Sequence, residues 1–183
     1  SEALFDDGSC LYGDDCDGCT SSEAVNYDED ALFNDGSCIV PDIIVPDDYS
    51  TIQVALDIAN EGNTIFVRSG TYYESIEWSY TYGVKLIGED KETTIIDGNG
   101  QRVILMEGTN GNDNVFDTNT LIQNFTIQNG STGGSSGAGI HANRASPTLN
   151  NLIFKNNVAS TGTGGAIFIN PHTEQYNNLM LSE

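Results

Sequence analysis

The chain is 183 residues long, enough for one sizeable core or for a small module beside one larger unit. Its 27 Asp and Glu against 6 Lys and Arg give a formal charge of −21, a field that repels nucleic acid and anionic membrane surfaces and speaks against both as partners. No apolar run approaches the roughly 20 residues that a membrane-spanning helix needs, so membrane insertion is not expected.

The first 48 residues carry 14 acidic and no basic side chains. Solubility in a salty medium and cation binding both account for such a bias. All four cysteines, at 10, 16, 19 and 38, fall in this polar, loop-like stretch, which reads as a disulfide framework in an oxidising, extracellular setting. Cys16 and Cys19 form a Cys-x-x-Cys, yet neither the paired ligands of a zinc site nor the βαβ context of a redox motif accompanies it. No signal peptide precedes it, so the chain is expected to be a mature or trimmed form of an exported protein.

A repeat runs through this stretch. Ala3-Leu4-Phe5-Asp6-Asp7-Gly8-Ser9-Cys10 returns as Ala31-Leu32-Phe33-Asn34-Asp35-Gly36-Ser37-Cys38 after 28 residues, and the second copy is preceded by Gly18-Cys19-Thr20 and Ala24-Val25-Asn26-Tyr27-Asp28. The segment resembles short Gly-Cys-Thr … Asp-Gly-Ser-Cys repeats of secreted bacterial and algal surface proteins, with a thrombospondin type 3-like character. That resemblance implies a Cys19–Cys38 pair, with Cys10 paired to Cys16, among the three connectivities that four cysteines admit. Asn26, Asp28, Asp30 and Asp35 offer oxygens that would suit a hard cation such as Ca²⁺. The same residues serve equally as loop-bending turn formers, and the closing Glu of an EF-hand loop is missing. Residues 1–40 are thus expected to form a disulfide-stapled, Asp-rich module, with no cofactor beyond that candidate Ca²⁺ and a linker at 41–49.

From Ser50 to Gly62 the pattern predicts a short amphipathic helix. Ile52, Ala55, Leu56 and Ala59 share one face, Ser50 with Gln53 reads as a capping box, and Gly62 as the stop. Thr64-Ile65-Phe66-Val67 reads as a strand and Ser69-Gly70-Thr71-Tyr72 as a turn.

The run Val45-Pro46-Asp47-Asp48-Tyr49-Ser50-Thr51-Ile52-Gln53-Val54-Ala55 continues into Gly62-Asn63-Thr64-Ile65-Phe66-Val67 and Gly70-Thr71-Tyr72-Tyr73-Glu74-Ser75-Ile76. Leu86-Ile87-Gly88-Glu89 and Thr94-Ile95-Ile96-Asp97-Gly98 follow. Together they resemble the opening of a right-handed parallel β-helix of the pectin lyase-like superfamily, nearest its pectinesterase-like and surface members. The resemblance covers 45–183 and implies an all-β solenoid whose N-terminal end the short helix plugs. A stacked core needs such a plug, because its end otherwise exposes apolar interior and an unpaired strand edge.

The last third carries its own register. Rows beginning at Leu121, Thr148 and Gln175 are 27 residues apart and align Asn124, Asn151 and Asn178, then Phe125, Leu152 and Leu179, then Ile127, Phe154 and Leu181. Alternation points positions 125 and 127 inward and Gln128, Lys155 and Ser182 outward; Thr126, Ile153 and Met180 form an outward, partly apolar column. The stacked Asn suits a left-handed bend, and at a strand spacing of about 4.8 Å its amides can form a structural ladder. Asn129 and Asn156 suggest a second, shorter stack. Asn124 and Asn129 both head glycosylation sequons, and Asn129, in a turn, is the candidate acceptor.

Chemistry is harder to find. The resemblance would bring two Asp and an Arg for a pectinesterase, an acidic trio with Gly-His-Gly for a polygalacturonase, or a calcium-binding acidic cluster with Arg for a pectate lyase. Gly139-Ile140-His141 does not match Gly-His-Gly, and coil carboxylates are sparse after Asp117. His141 and Arg144 stand outward, with His141 reading as an ordinary strand residue, and no acid/base pair can be assembled. The leading expectation is a non-catalytic structural or adhesive module of an extracellular, cell-surface or filament-forming protein. Its partners would be copies of itself, other surface proteins or polysaccharide. The alternative is the front part of an enzyme acting as lyase, hydrolase or esterase on acidic polysaccharide.

Overall fold

In the computed structural model, which describes residues 17–78, 81–108 and 116–171, the chain divides between Pro41 and Asp42 into two units. In the first unit β1 (Asp17–Gly18) pairs in parallel with β2 (Phe33–Asn34), and Cys19 is disulfide-bonded to Cys38, the pairing that the surface-repeat resemblance implied. Cys10 and Cys16 lie outside the described residues. Only Cys19 and Ala24 are buried apolar residues among those described here, so turns and the disulfide carry the fold.

The second unit contains α1 (Ile52–Ile58) and the remaining strands. In chain order these are β3 (Ile43–Val45), β4 (Thr64–Val67), β5 (Gly70–Tyr73), β6 (Ile76–Glu77), β7 (Lys85–Gly88), β8 (Thr94–Asp97), β9 (Ile104–Glu107) and β10 (Leu121–Gln123). They continue with β11 (Thr126–Gln128), β12 (Ser131–Thr132), β13 (Ile140–Asn143), β14 (Thr148–Asn150), β15 (Ile153–Lys155), β16 (Val158–Ala159) and β17 (Ile167–Asn170). Each winding of the chain adds one parallel strand to each of three sheets, ordered β3-β4-β7-β10-β14, β5-β8-β11-β15 and β6-β9-β13-β17, with β12-β16 as a short fourth pair. This is a parallel β-helix. Successive coils stack like on like: Ile65, Leu86 and Ile122 in the first sheet, Ile96 and Ile127 in the second, Ile76, Ile104 and Ile140 in the third, all buried. Burying each such side chain contributes about 1.5–3 kcal/mol. Phe125 and Ile127 point inward as the alternation required.

The end plug is present but differs in detail from the sequence expectation. Ile52, Ala55 and Leu56 are buried against β3, β4 and β6, while Thr51, not Ser50, is the N-cap, its hydroxyl accepting from the Val54 amide at 3.2 Å. The Glu74 carboxylate accepts from the Ile52 and Gln53 amides at 3.0 and 2.9 Å, satisfying the other free donors of the first turn. With those donors met, Gln53 does not reach back; it bonds outward to β6. The helix ends at Ile58, short of Gly62, which lies beyond it at φ 76°.

The expected linker is in part an edge strand. Ile43 and Val45 are buried in β3, Asp42 accepts from the Thr64 amide, Asp48 accepts from the Ile44 amide, and Asp47 pairs with Arg68 at 2.8 Å. Ser69–Tyr72 is likewise mostly strand β5 rather than a turn. Thr126 is not an exposed outward residue: it is fully buried, its hydroxyl donating to the Lys91 carbonyl at 2.7 Å. Ile153 above it is half-buried, and Met180 lies outside the described residues.

Candidate functional site

The outer face of the sheet β6-β9-β13-β17 gathers the side chains that carry chemistry. Ile104 and Met106 of β9, and Ile140 and Ala142 of β13, are fully buried, so alternation turns Leu105, Glu107, His141 and Asn143 outward. Parallel register stacks these into two columns, Glu77–Leu105–His141–Phe168 and Glu107–Asn143–Asn170.

Glu107 accepts a hydrogen bond from Asn143 Nδ2 at 2.9 Å and lies 3.5 Å from His141 Nε2. The imidazole is only 13% exposed and stacks on Phe168 with ring centroids 4.9 Å apart. Its Nδ1 lies 2.8 Å from the Ser136 carbonyl oxygen. A carbonyl can only accept, so Nδ1 carries a proton and Nε2 is the nitrogen that faces Glu107. Arg102 Nη2 donates to the same carbonyl at 3.2 Å, fixing the turn that orients the ring. His141 is therefore a held residue with a carboxylate 3.5 Å from its Nε2, a contact that the coil register alone does not foresee. It went unseen because Glu107 and Asn143 are 36 residues apart, against 27 for Asn143 and Asn170, so the regular register stops one coil short of it.

Beside the pair lies an open groove of about 760 Å³. Helix α1 lends it Gln53 and Asp57; the chain around β6 adds Ser75, Glu77 and Trp78; the chain around β9 adds Gln101, Leu105 and Glu107. Gln53 acts as a surrogate strand: its Oε1 accepts from the Glu77 amide at 2.8 Å and its Nε2 donates to the Glu77 carbonyl at 2.9 Å. The plug helix thereby fixes one wall. Among the described residues no Lys or Arg lines the groove; Arg144 is exposed elsewhere, at φ 51°. Amides, carboxylates and a hydroxyl beside a half-buried, apolar Leu105 make a surface against which a polyhydroxylated ring can both hydrogen-bond and pack.

The remaining candidates are structural in placement. Asn26 donates to the Ser37 carbonyl at 2.8 Å and accepts from the Ile39 amide at 2.7 Å. Asp28 accepts from the Asp30 amide and Asp35 from the Ser37 amide, and the hydrogen bonds of Ser37 hold the Asp35 carboxyl below its usual range. Asp28, Asp30 and Asp35 do not converge; among the described residues no three His, Cys, Asp or Glu side chains gather as a metal would require. The bonds that Asp28 and Asp35 accept from amides two residues on are those of turn formers. Asn151 Nδ2 donates to Asn124 Oδ1 at 2.8 Å, and both residues have positive φ, as a ladder at a left-handed bend should. Asn178 lies outside the described residues. Asn129 is half-buried, and its Nδ2, the atom that would carry a glycan, donates to Asp97 Oδ2 at 2.7 Å.

Further ladders join Gln123 to Asn150, Asn129 to Asn156 and Asn143 to Asn170. Two rest on carboxylates, Asp97 and Glu107. Burial acts to raise the Asp97 pKa, but bonds from the Asn99 amide, Gln128 and Asn129 outweigh it and the carboxyl sits below its ordinary value.

Comparison with protein families gives one finding: a model described as rhamnogalacturonase A/epimerase, pectate lyase-like, matches residues 38–183. No curated protein and no solved structure matches the chain.

Proposed function

Because the chain belongs to the rhamnogalacturonase A/epimerase, pectate lyase-like family, we propose that its β-helix is an extracellular polysaccharide-contacting module that seats a glycan in the groove between α1, β6 and β9. The observation that carries this is the groove itself, walled by Gln53, Glu77 and Glu107 beside Leu105. It lies on a rigid sheet, so its polar groups are ordered before a ligand arrives and binding need not order them. The Cys19–Cys38 disulfide supports an oxidising, extracytoplasmic location, and no helix among the described residues is long and apolar enough to cross a membrane. Cell-surface adhesion through polysaccharide is the role this suits, with copies of the chain or other surface proteins as further contacts.

The test is binding of the whole chain to a polysaccharide panel by affinity electrophoresis. Leu105→Ala with Gln53→Ala should weaken the bound glycan at least about tenfold, as loss of a packing surface and a wall amide implies. Unchanged binding in that variant, with its fold intact, would exclude the groove.

A second reading, catalysis on the glycan, is favoured by one observation, the Glu107–His141 contact at 3.5 Å. In it Glu107, which lines the groove, is the group that acts on the seated sugar and His141 positions it, and Glu107→Gln would lower turnover by about 10²–10⁴-fold. Binding without any turnover leaves the adhesive reading alone.

A further inference from the structure

Resting on the glycan reading, we infer that Tyr73, Asn99 and Gln101 form an outlying subsite at the corner beside the groove. It holds the same glycan where the sugars leave the groove, so the ligand is a long chain engaged along its length rather than a short end. Strand β5 alternates, with Tyr72 turned toward the core and Tyr73 outward. Tyr73 is 70% exposed, more than any other large hydrophobic side chain described. The carboxylate beside it in register, Asp97 on β8, is turned to the Asn99 amide, Gln128 and Asn129 and leaves the ring uncovered. Tyr72 and Tyr82 give their hydroxyls to the Arg68 carbonyl and to Asp117, whereas that of Tyr73 makes no hydrogen bond to a described residue.

The chain passes from β5 to β6 through Glu74 and Ser75, and Ser75 lines the groove. Glu74 is locked to the first turn of α1, and the Ser75 hydroxyl donates to the Arg102 carbonyl at 2.7 Å, so the corner is held in place. The turn 98–102 of the next coil lies over it, because the Glu74 amide donates to the Asp97 carbonyl and the Ile76 amide to the Val103 carbonyl. That turn presents Asn99 and Gln101, both exposed, and Gln101 also lines the groove. Most amide side chains of this unit are spent on the fold, in ladders, on Asp97 or on backbone carbonyls. Those of Asn99 and Gln101 make no hydrogen bond to a described residue. Two idle amides, each with donors and an acceptor, thus stand beside an uncovered aromatic ring and run on into the groove through Ser75 and Gln101. Sugar hydroxyls pair with such amides, and the C–H face of a sugar ring packs on such a ring. None of the three side chains is charged, so the contact does not depend on whether the sugar is acidic.

The experiment titrates the whole chain with short and long oligomers cut from xylan, mannan, β-glucan, galactan and polygalacturonate. It compares the parent with Tyr73→Ala, Tyr73→Phe and Asn99→Gly, glycine being suited to the φ of 47° at that position. In the parent, affinity for the glycan that binds should rise at least about tenfold from short oligomers to long. Tyr73→Ala should remove that rise and leave short oligomers within about twofold, because Tyr73 does not line the groove. Tyr73→Phe should keep most of the rise, since the ring face makes the contact, and Asn99→Gly should reduce it about threefold. Equal affinity of the parent for short and long oligomers overturns the inference and leaves the glycan reading standing. So does the full rise in a Tyr73→Ala chain whose thermal transition is unchanged, or in Asn99→Gly and Tyr73→Ala combined. Loss of short-oligomer binding in Tyr73→Ala, with its fold intact, places Tyr73 in the groove and likewise overturns an outlying subsite. Binding to no polysaccharide at all overturns both.

Discussion

The two units solve the same problem, ordering an acidic chain, by opposite means. Among its described residues the N-terminal unit buries little beyond Cys19 and Ala24 and is held by the Cys19–Cys38 link and a run of side-chain-closed turns. The β-helix buries an unbroken column of Ile, Leu and Phe and adds amide ladders that run from coil to coil. A staple restricts the unfolded chain, whereas a stacked core rewards the folded one, so the two should fail under different insults.

Phe125→Ala should break the comparison most sharply. Phe125 is fully buried in the β-helix, and its truncation should remove about 3–5 kcal/mol. Thermal unfolding followed by circular dichroism would show the β transition falling while hydrogen exchange in residues 17–41 stays unchanged. Reduction of the disulfide, or Cys19→Ser with Cys38→Ser, should do the reverse. Opening a link that spans 19 residues of sequence removes about 3 kcal/mol from a module whose described residues bury few apolar side chains. Its amides should then exchange freely while the β-helix transition stays in place.

Asp97→Ala should cost about 2–3 kcal/mol, because three donors lose a charged acceptor at the foot of a ladder. The pH dependence follows from the same residue. Its folded pKa lies below its unfolded value, so its contribution is complete above the unfolded carboxylate value near ~4 and is lost as pH falls through the folded one. Acid titration of stability should be shallower in Asp97→Asn than in the parent; an identical slope would show that the ladder does not hold the charge. The smallest effect is expected at Thr51→Ala, about 1 kcal/mol from the loss of one cap, confined to the plug helix because Glu74 still accepts from the Ile52 and Gln53 amides.

Much of the scaffold was legible because stacking is a local rule repeated. Alternation within Phe125-Thr126-Ile127 and the recurring Asn at 124 and 151 report inward positions and bends without any knowledge of what lies opposite. Errors arose where a residue's partner is distant in sequence. Gln53 resembled a capping-box residue until Glu74 took the amides of the first turn, and Asp42, Asp47 and Asp48 resembled linker residues because Thr64 and Arg68, which engage Asp42 and Asp47, lie about twenty residues on. Thr126 resembled a solvent-facing residue because nothing local shows that the Lys91 backbone covers it.

The sequence by itself determined the β-helix superfamily, the coil and the inward face, since each is written in a spacing or a run of residues, while the Cys19–Cys38 staple was implied only by the resemblance to surface repeats. Only the tertiary structure decided that Glu107 meets His141 and Asn143, and that α1 walls a groove with Gln53 beside Glu77. The reason is that one winding of a solenoid can lengthen without disturbing its strands. Between β9 and β13 the spacing is 36 residues rather than 27, and a pattern read by constant period cannot see two side chains that only the stacking of unequal coils places together.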